Sequence, residues 1–211
     1  MDIKNTGTTT IGIVCKDGII LAADRRVTLG GHIVVNKKFQ KIVTISNNIA
    51  VTTAGSVSDI QLLIKIVKAQ LQLNYMRSGK ESSVKETANL LASLVYGSIR
   101  RLSMIPSITG FIVGGSDDTG HYLFNLGVSG DIIESTDYEA DGSGFMFATG
   151  VLESSYKKDM TINEGIKLAV KSVNAALQRD AATGNGIDVV VINKDGVKKV
   201  FEKEIDMTIS V

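Results

Sequence analysis

Near its beginning the chain sets a glycine directly before a hydroxyl residue that opens a strand: Gly7-Thr8-Thr9-Thr10-Ile11-Gly12-Ile13. A cut between Gly7 and Thr8 leaves Thr8 with a free α-amino group beside its own hydroxyl. Nucleophile and base then share one residue, the arrangement of amine-activated threonine catalysis. The threonine triplet also reads as plain β-propensity. The leader, residues 1–7, has no apolar core and is not expected to be a secretory signal; it is either a disordered terminus or a propeptide. Other chemistry is less favoured. Cys15 is a possible thiol nucleophile, but it falls in an apolar strand pattern, the usual setting of a buried cysteine. His32 and His121 are far apart and lack ligand spacing, which favours neither a zinc site nor a serine–histidine pair.

The 211 residues suffice for one large domain with a substantial core. With 44% apolar and 21% charged residues the composition is that of a soluble globular protein. Lys and Arg total 23 against 22 acidic residues, so no broad attraction to nucleic acid or anionic membrane is expected. A single cysteine rules out an internal disulfide and points to a reducing compartment. No apolar run approaches the roughly 18 residues that a membrane span needs.

The elements that must position Thr8 follow from periodicity. Residues 8–14 and 18–24 read as a hairpin turned by Lys16-Asp17-Gly18, and 41–45 with 49–54 as a second pair around Ser46-Asn47-Asn48. From Val57 onward Ile60, Ile64, Val67 and Leu71 share one helical face, with Ser58, Gln61, Lys65, Lys68 and Gln72 on another. Ser83-Val84-Lys85-Glu86 has capping-box spacing and opens a second amphipathic run through Leu91, Val95 and Ile99. Strands return at 108–114, 122–126 and 132–136, and a short helix is expected after Gly142-Ser143-Gly144. Thr161-Ile162-Asn163-Glu164 is another capping box, starting a helix with the stripe Ile166, Val170, Val173 and Leu177. Residues 187–192 and 197–201 form a last hairpin around Lys194-Asp195-Gly196. Strand blocks interleaved with helix pairs predict an α+β fold, a four-layer αββα sandwich of two antiparallel sheets.

Six short motifs occur in order. They are Gly7-Thr8-Thr9-Thr10-Ile11-Gly12, Ala22-Ala23-Asp24-Arg25-Arg26, Thr52-Thr53-Ala54-Gly55-Ser56, Gly142-Ser143-Gly144, Gly150-Val151-Leu152-Glu153-Ser154 and Arg179-Asp180-Ala181-Ala182-Thr183-Gly184. Together they resemble the catalytic β subunit of the 20S proteasome, archaeal type, a threonine protease of the N-terminal-nucleophile hydrolase fold. The resemblance runs from Thr8 to about Phe201. It implies that residues 1–7 are a propeptide removed by self-cleavage at Gly7-Thr8 and that residues 8–211 are the catalytic domain.

By that resemblance Thr8 is the nucleophile, and its α-amine takes the proton directly or through a water. A free α-amine has a reference pKa of about 7.7–8.0, against about 10.4 for lysine, so it is the better base near neutrality. A lysine beside the threonine lowers that pKa further, and an aspartate fixes the lysine. Asp24 matches the aspartate. Lys37, Lys38 and Lys41 all lie in the region of the lysine, and Lys41 is chosen because Ile42-Val43-Thr44-Ile45 follows it. This choice requires one extra residue after Asp24, expected to be absorbed at Gly30-Gly31. Without the other motifs, Asp24 and Lys41 read as a plain surface ion pair. Gly55 corresponds to the oxyanion-hole glycine, and is equally a turn glycine between strand and helix. Ser143, Asp180 and Thr183 match the polar cluster that orients the amine, although the family more commonly has serine where Thr183 stands.

The same resemblance puts Val27, Phe39, Val43, Thr53 and Val57 around the pocket for the side chain preceding the cut bond, with Thr28 and Gly55 bonding the substrate backbone. None is charged, so a broad, apolar-leaning endopeptidase is implied. The implied partners are α subunits and other β subunits in seven-membered rings stacked four deep, an ATPase regulator acting indirectly, and unfolded polypeptide substrates. The implied site is the cytoplasm, with no cofactor, metal, nucleic acid or membrane involved. Three alternatives stay open: a catalytically silent ring subunit, a bacterial-type two-ring ATP-dependent threonine protease, and an amidohydrolase acting on small amides.

Overall fold

The computed structural model describes residues 7–205. Most of the leader therefore lies outside the described residues, and Gly7 is its one described member. Among these described residues, blocks of strands, twelve in all, are interleaved with two pairs of helices. In chain order the first six strands are β1 (Thr10–Cys15), β2 (Gly18–Asp24), β3 (Val27–Leu29), β4 (Ile33–Asn36), β5 (Ile42–Ser46) and β6 (Ile49–Gly55). The helices α1 (Val57–Ser78) and α2 (Val84–Ile99) follow, then β7 (Thr109–Asp117), β8 (Gly120–Leu126), β9 (Ile132–Ser135) and β10 (Tyr138–Asp141). The helices α3 (Phe145–Ser155) and α4 (Ile162–Arg179) precede the closing strands β11 (Gly186–Asn193) and β12 (Gly196–Glu204).

Two antiparallel five-stranded sheets result, one in the order β10-β1-β2-β11-β12 and the other β5-β6-β7-β8-β9. The residue alternation of each strand assigns its two faces. Ile20 and Ala22 of β2 join Ile11, Ile13, Leu152, Leu168 and Val173 in a core beneath α3 and α4. Ile19 and Leu21 of the same strand, with Val190 and Ile192 of neighbouring β11, face the other sheet, where they meet Ala50, Ile112 and Leu123. A strand buried on both faces must read as a continuous apolar run, and Gly18–Asp24 does so until its final aspartate. A third cluster holds α1 and α2 on the second sheet through Ile60, Leu63, Val67, Leu91 and Val95 against Val51, Phe111, Val113 and Phe124. The order of layers is helix, sheet, sheet, helix, the expected αββα sandwich.

Both capping boxes are formed: Ser83 and Thr161 each accept the backbone N–H three residues on, while Glu86 and Glu164 reach back. α1 ends where Gly79 turns left-handed at φ 68°. Two features depart from the sequence reading. β10 pairs with β1 from Thr10↔Asp141 to Ile13↔Tyr138, although Tyr-Glu-Ala-Asp carries little intrinsic strand preference. The β3–β4 hairpin, also unforeseen, turns at Gly30 and Gly31, whose φ values of 62° and 76° suit glycine. Its register slips between Val27↔Asn36 and Thr28↔Val34, which leaves Val35 as the extra residue of a bulge in β4.

Candidate active site

The hairpin that begins the fold also begins the site. β1 and β2 bring the residues preceding Thr10 alongside the end of β2, and Asp24 N–H donates to Thr9 C=O at 3.1 Å. Asp24 is fully buried, an arrangement that needs compensation. Its Oδ1 accepts from Thr9 N–H at 2.9 Å and from Lys41 Nζ at 2.7 Å. Its Oδ2 accepts from the N–H groups of Arg26 and Gly184, each at 3.0 Å. Four donors thus fix one carboxylate, and Lys41 is the only side chain among them.

Lys41 enters just before β5 and is 2% exposed. Its Nζ lies 3.1 Å from Thr8 Oγ1 and 3.1 Å from Gly7 O, besides its 2.7 Å bond to Asp24. Three acceptors match the three N–H bonds of an ammonium. Burial pushes the Lys41 pKa below its ordinary value; Asp24, by charge and by hydrogen bond, opposes that shift, and Arg26 adds to it. Thr53 supports the lysine from behind, its Oγ1 and N–H both donating to Lys41 C=O, at 3.1 and 2.9 Å. Lys37 and Lys38 are exposed, and Lys38 pairs with Glu204.

Thr8 itself is 4% exposed. Its hydroxyl donates to Gly7 C=O at 2.6 Å, and its N–H donates to Ser143 Oγ at 3.1 Å. Ser143 in turn donates to Asp180 Oδ2 at 2.5 Å, and Thr183 Oγ1 donates to the same oxygen at 2.5 Å. With Thr183's proton committed to Asp180, the 2.6 Å contact between Thr9 and Thr183 hydroxyls runs from Thr9 as donor. The threonine therefore sits between two anchored halves. Asp24 and Lys41 hold its hydroxyl side, while Ser143, Asp180 and Thr183 hold its amide nitrogen.

Gly55 closes β6 at φ 109°, paired with Thr109. A Cβ there would run into Ile108 C=O, so only glycine fits this turn before α1. Of the residues expected around substrate, Thr28 contacts the leader: its Oγ1 accepts Gly7 N–H at 2.8 Å. Val27, Phe39 and Val57 are half-buried, and Val43 packs against the core under α1 and α2. Thr53 is 3% exposed, with its hydroxyl turned to Lys41. Sequence reasoning passed over Thr9 and Gly184. Thr9 stood in the triplet beside the nucleophile, whereas a backbone N–H such as that of Gly184 leaves no mark on residue type.

Two antiparallel sheets pressed between helix pairs, with a threonine at the head of the first hairpin, define the N-terminal-nucleophile hydrolase class of fold. Comparison with known proteins is narrower. Residues 4–192 match the family model described as proteasome subunit. Proteasome subunit beta of Methanococcus aeolicus is 45% identical over 201 residues, 95% of this chain and 90% of that protein. Proteasome subunit beta 2 of Pyrococcus furiosus is 44% identical over 203 residues, covering 96% and 95%. Proteasome subunit beta of Methanobrevibacter ruminantium is 39% identical over 211 residues, covering 99% and 98%. The chain belongs to the proteasome subunit family, and its relatives are β subunits.

Proposed function

We propose that this chain is the precursor of a threonine endopeptidase that matures by cutting its own Gly7–Thr8 bond and then works as a catalytic β subunit of a 20S proteasome. One observation carries the reading. Lys41 Nζ touches both Thr8 Oγ1, the attacking atom, and Gly7 O, the carbonyl oxygen of the bond to be cut. In self-cleavage the Thr8 oxygen adds to the Gly7 carbonyl carbon, and Lys41 lies 3.1 Å from the oxygen that gains negative charge. Collapse breaks the C–N bond and leaves an ester on Thr8, whose nitrogen takes up the proton. Water then hydrolyses the ester, releasing the leader carboxylate and restoring the Thr8 hydroxyl beside the α-amine already freed.

The mature cycle repeats this chemistry between chains. Thr8 Oγ1 adds to a substrate carbonyl while the α-amine accepts its proton. The amine then passes that proton to the leaving nitrogen, and water clears the acyl-enzyme. The Lys41 ammonium keeps the amine's pKa low, and Ser143 holds it in place. Asp180 holds Ser143, and Thr183 holds Asp180. Gly55 offers backbone to the oxyanion, and Val27, Phe39, Val43, Thr53 and Val57 supply the uncharged pocket.

Assembly into rings with α and other β subunits is part of the same proposal. It is supported by the family and by apolar side chains left exposed on α3 (Phe145, Met146, Phe147) and α1 (Leu62, Ile66). Unfolded polypeptide is then the substrate and the cytoplasm the site of action, a compartment suited to the free, buried Cys15.

N-terminal sequencing of the assembled particle tests the maturation step: the first residue is expected to be Thr8. Fluorogenic peptides test specificity, with Leu, Phe or Tyr before the cut expected to outperform Asp or Arg. A charged side chain would lose hydration in that pocket without gaining a partner. Active particles that begin at Met1, or that prefer charged residues, would sink the corresponding half of the proposal.

A further inference from the structure

Between Asp24 and Arg26 stands a residue that the chemistry above does not use. Arg25 is 4% exposed, and its guanidinium is enclosed by carboxylates from the two closing strands. Nη1 lies 3.0 Å from Glu202 and 3.4 Å from Glu204 of β12, and Nε is 3.6 Å from the buried Asp188 of β11. Lys199 completes the cluster, 3.2 Å from Asp188 and 2.8 Å from Glu202, and Lys38 reaches Glu204 at 2.8 Å. An exposed cluster of this composition would do little. This one has a buried centre, and its centre is covalently next to the aspartate that holds Lys41.

The backbone of Arg25 is tied as firmly. Its N–H donates to Gly184 C=O at 3.1 Å, and Gly184 N–H is one of the four donors to Asp24. Its C=O accepts Phe39 N–H at 3.1 Å, which pins the segment leading into Lys41. Gly184 also follows Thr183, a member of the cluster on the amide side of Thr8. The contact of Arg25 with Gly184 therefore joins both halves of the site, alongside the Arg26 bonds to Ala181 C=O and Asn185 Oδ1 and the Thr9–Thr183 hydroxyl bond. The Arg25 guanidinium clamps its contact to β11 and β12.

We propose that Arg25 is a positioning residue for the reaction: its buried fork to Asp188, Glu202 and Glu204 sets the distance of the Asp24–Lys41 pair from Thr8. This inference rests on the threonine-protease reading. Loosening the fork lets Lys41 retreat from the α-amine, which removes positive charge from the base and raises its pKa. The other charged groups around that amine stay in place. They are Asp180 behind Ser143 on the far side and Arg26 beside Asp24.

The test compares assembled particles carrying Arg25→Met, Arg25→Lys and the double change Glu202→Gln with Glu204→Gln, each verified by N-terminal sequencing. Arg25→Met keeps the length of the buried stem, and Lys199 remains as a partner for Asp188. It is expected to lower kcat by roughly 10- to 100-fold with KM little changed, the scale that a misplaced group costs. The acid limb of its kcat/KM profile should move to higher pH by roughly half a unit or more. Arg25→Lys should restore part of both effects, because it keeps the charge but lacks the planar fork.

The glutamate pair is solvent-accessible, so its double variant folds whether or not Arg25→Met does, and it should shift the acid limb in the same direction. A wild-type acid limb in the double variant overturns the proposal, as does wild-type kcat in Arg25→Met. Absence of peptidase activity in the wild-type particle would instead overturn the underlying protease reading.

Discussion

Thr8→Ala is expected to assemble, to retain its leader, and to lose peptidase activity by at least about 10³-fold, as removal of a nucleophile does. The change deletes the one oxygen that Lys41 shares with Gly7 C=O. It leaves Lys41 with Asp24 and Gly7 C=O as acceptors, so no buried charge is orphaned. The fold should tolerate it, since Thr8 and Thr9 precede β1 and their backbone bonds to Asp24, Ser143 and Gly144 do not need a hydroxyl at position 8. Intact-mass spectrometry reads the leader, and fluorogenic peptides read the activity. Thr8→Ser, which keeps the oxygen, should process and cleave. A Thr8→Ala particle that still hydrolyses peptides, or that sheds residues 1–7 on its own, would mean that another residue is the nucleophile. The silent-subunit alternative makes the opposite statement about the wild type: such a chain would keep its leader with Thr8 intact.

Much of this site is legible in the sequence because Thr8 leads into, and Asp24 ends, one hairpin. Once residues 10–24 fold back on themselves, the chain before Thr10 must lie beside Asp24, whatever the rest of the molecule does. An aspartate ending a strand buried on both faces also signals a partner in advance. The helices were equally readable, since Ser83 and Thr161 announce their starts through capping boxes and the apolar stripes name the buried faces.

What escaped the sequence reading depends on tertiary pairing. Ile33–Asn36 is exposed at all four positions, so no alternation marks it as a strand. Tyr138–Asp141 is held at the sheet edge by β1 and by Glu139, which accepts from Asn125 at 2.8 Å and also from Ser135. Thr53 was expected at the pocket wall, and the sequence did not show that its hydroxyl also donates to the backbone of Lys41, a choice that residue type alone does not express. The Arg25 cluster is similar. Glu202 and Glu204 are about 180 residues away in the chain, and only the β11–β12 hairpin folding beside β2 turns them into its counter-ions.

The choice among three lysines yields the sharpest remaining expectation. Lys41→Ala should abolish self-processing and reduce peptide hydrolysis by about 10²-fold or more, the scale of losing an electrostatic stabiliser at a reacting oxygen. Lys38→Ala and Lys37→Ala should process and cleave as the wild type does, because both side chains stand in solvent and Lys38 only meets a half-exposed Glu204. Removing Lys41 also leaves Asp24 fully buried with backbone donors alone, so a drop in thermal stability should accompany the lost activity. Asp24→Asn separates the two effects, since it keeps a group of the same shape while releasing the lysine from its counter-ion.

The pH profile adds an independent readout. Wild-type activity should rise from acid as the α-amine, near or below its reference value of about 7.7–8.0, gives up its proton. It should fall again in alkali as Lys41 deprotonates. Burial holds the Lys41 pKa below its ordinary value, so that fall is expected before the usual lysine range of about 10.4 is reached. Inactivity in Lys38→Ala, together with a working Lys41→Ala, would transfer the role to a lysine that here meets only Glu204, and would overturn this account of the site.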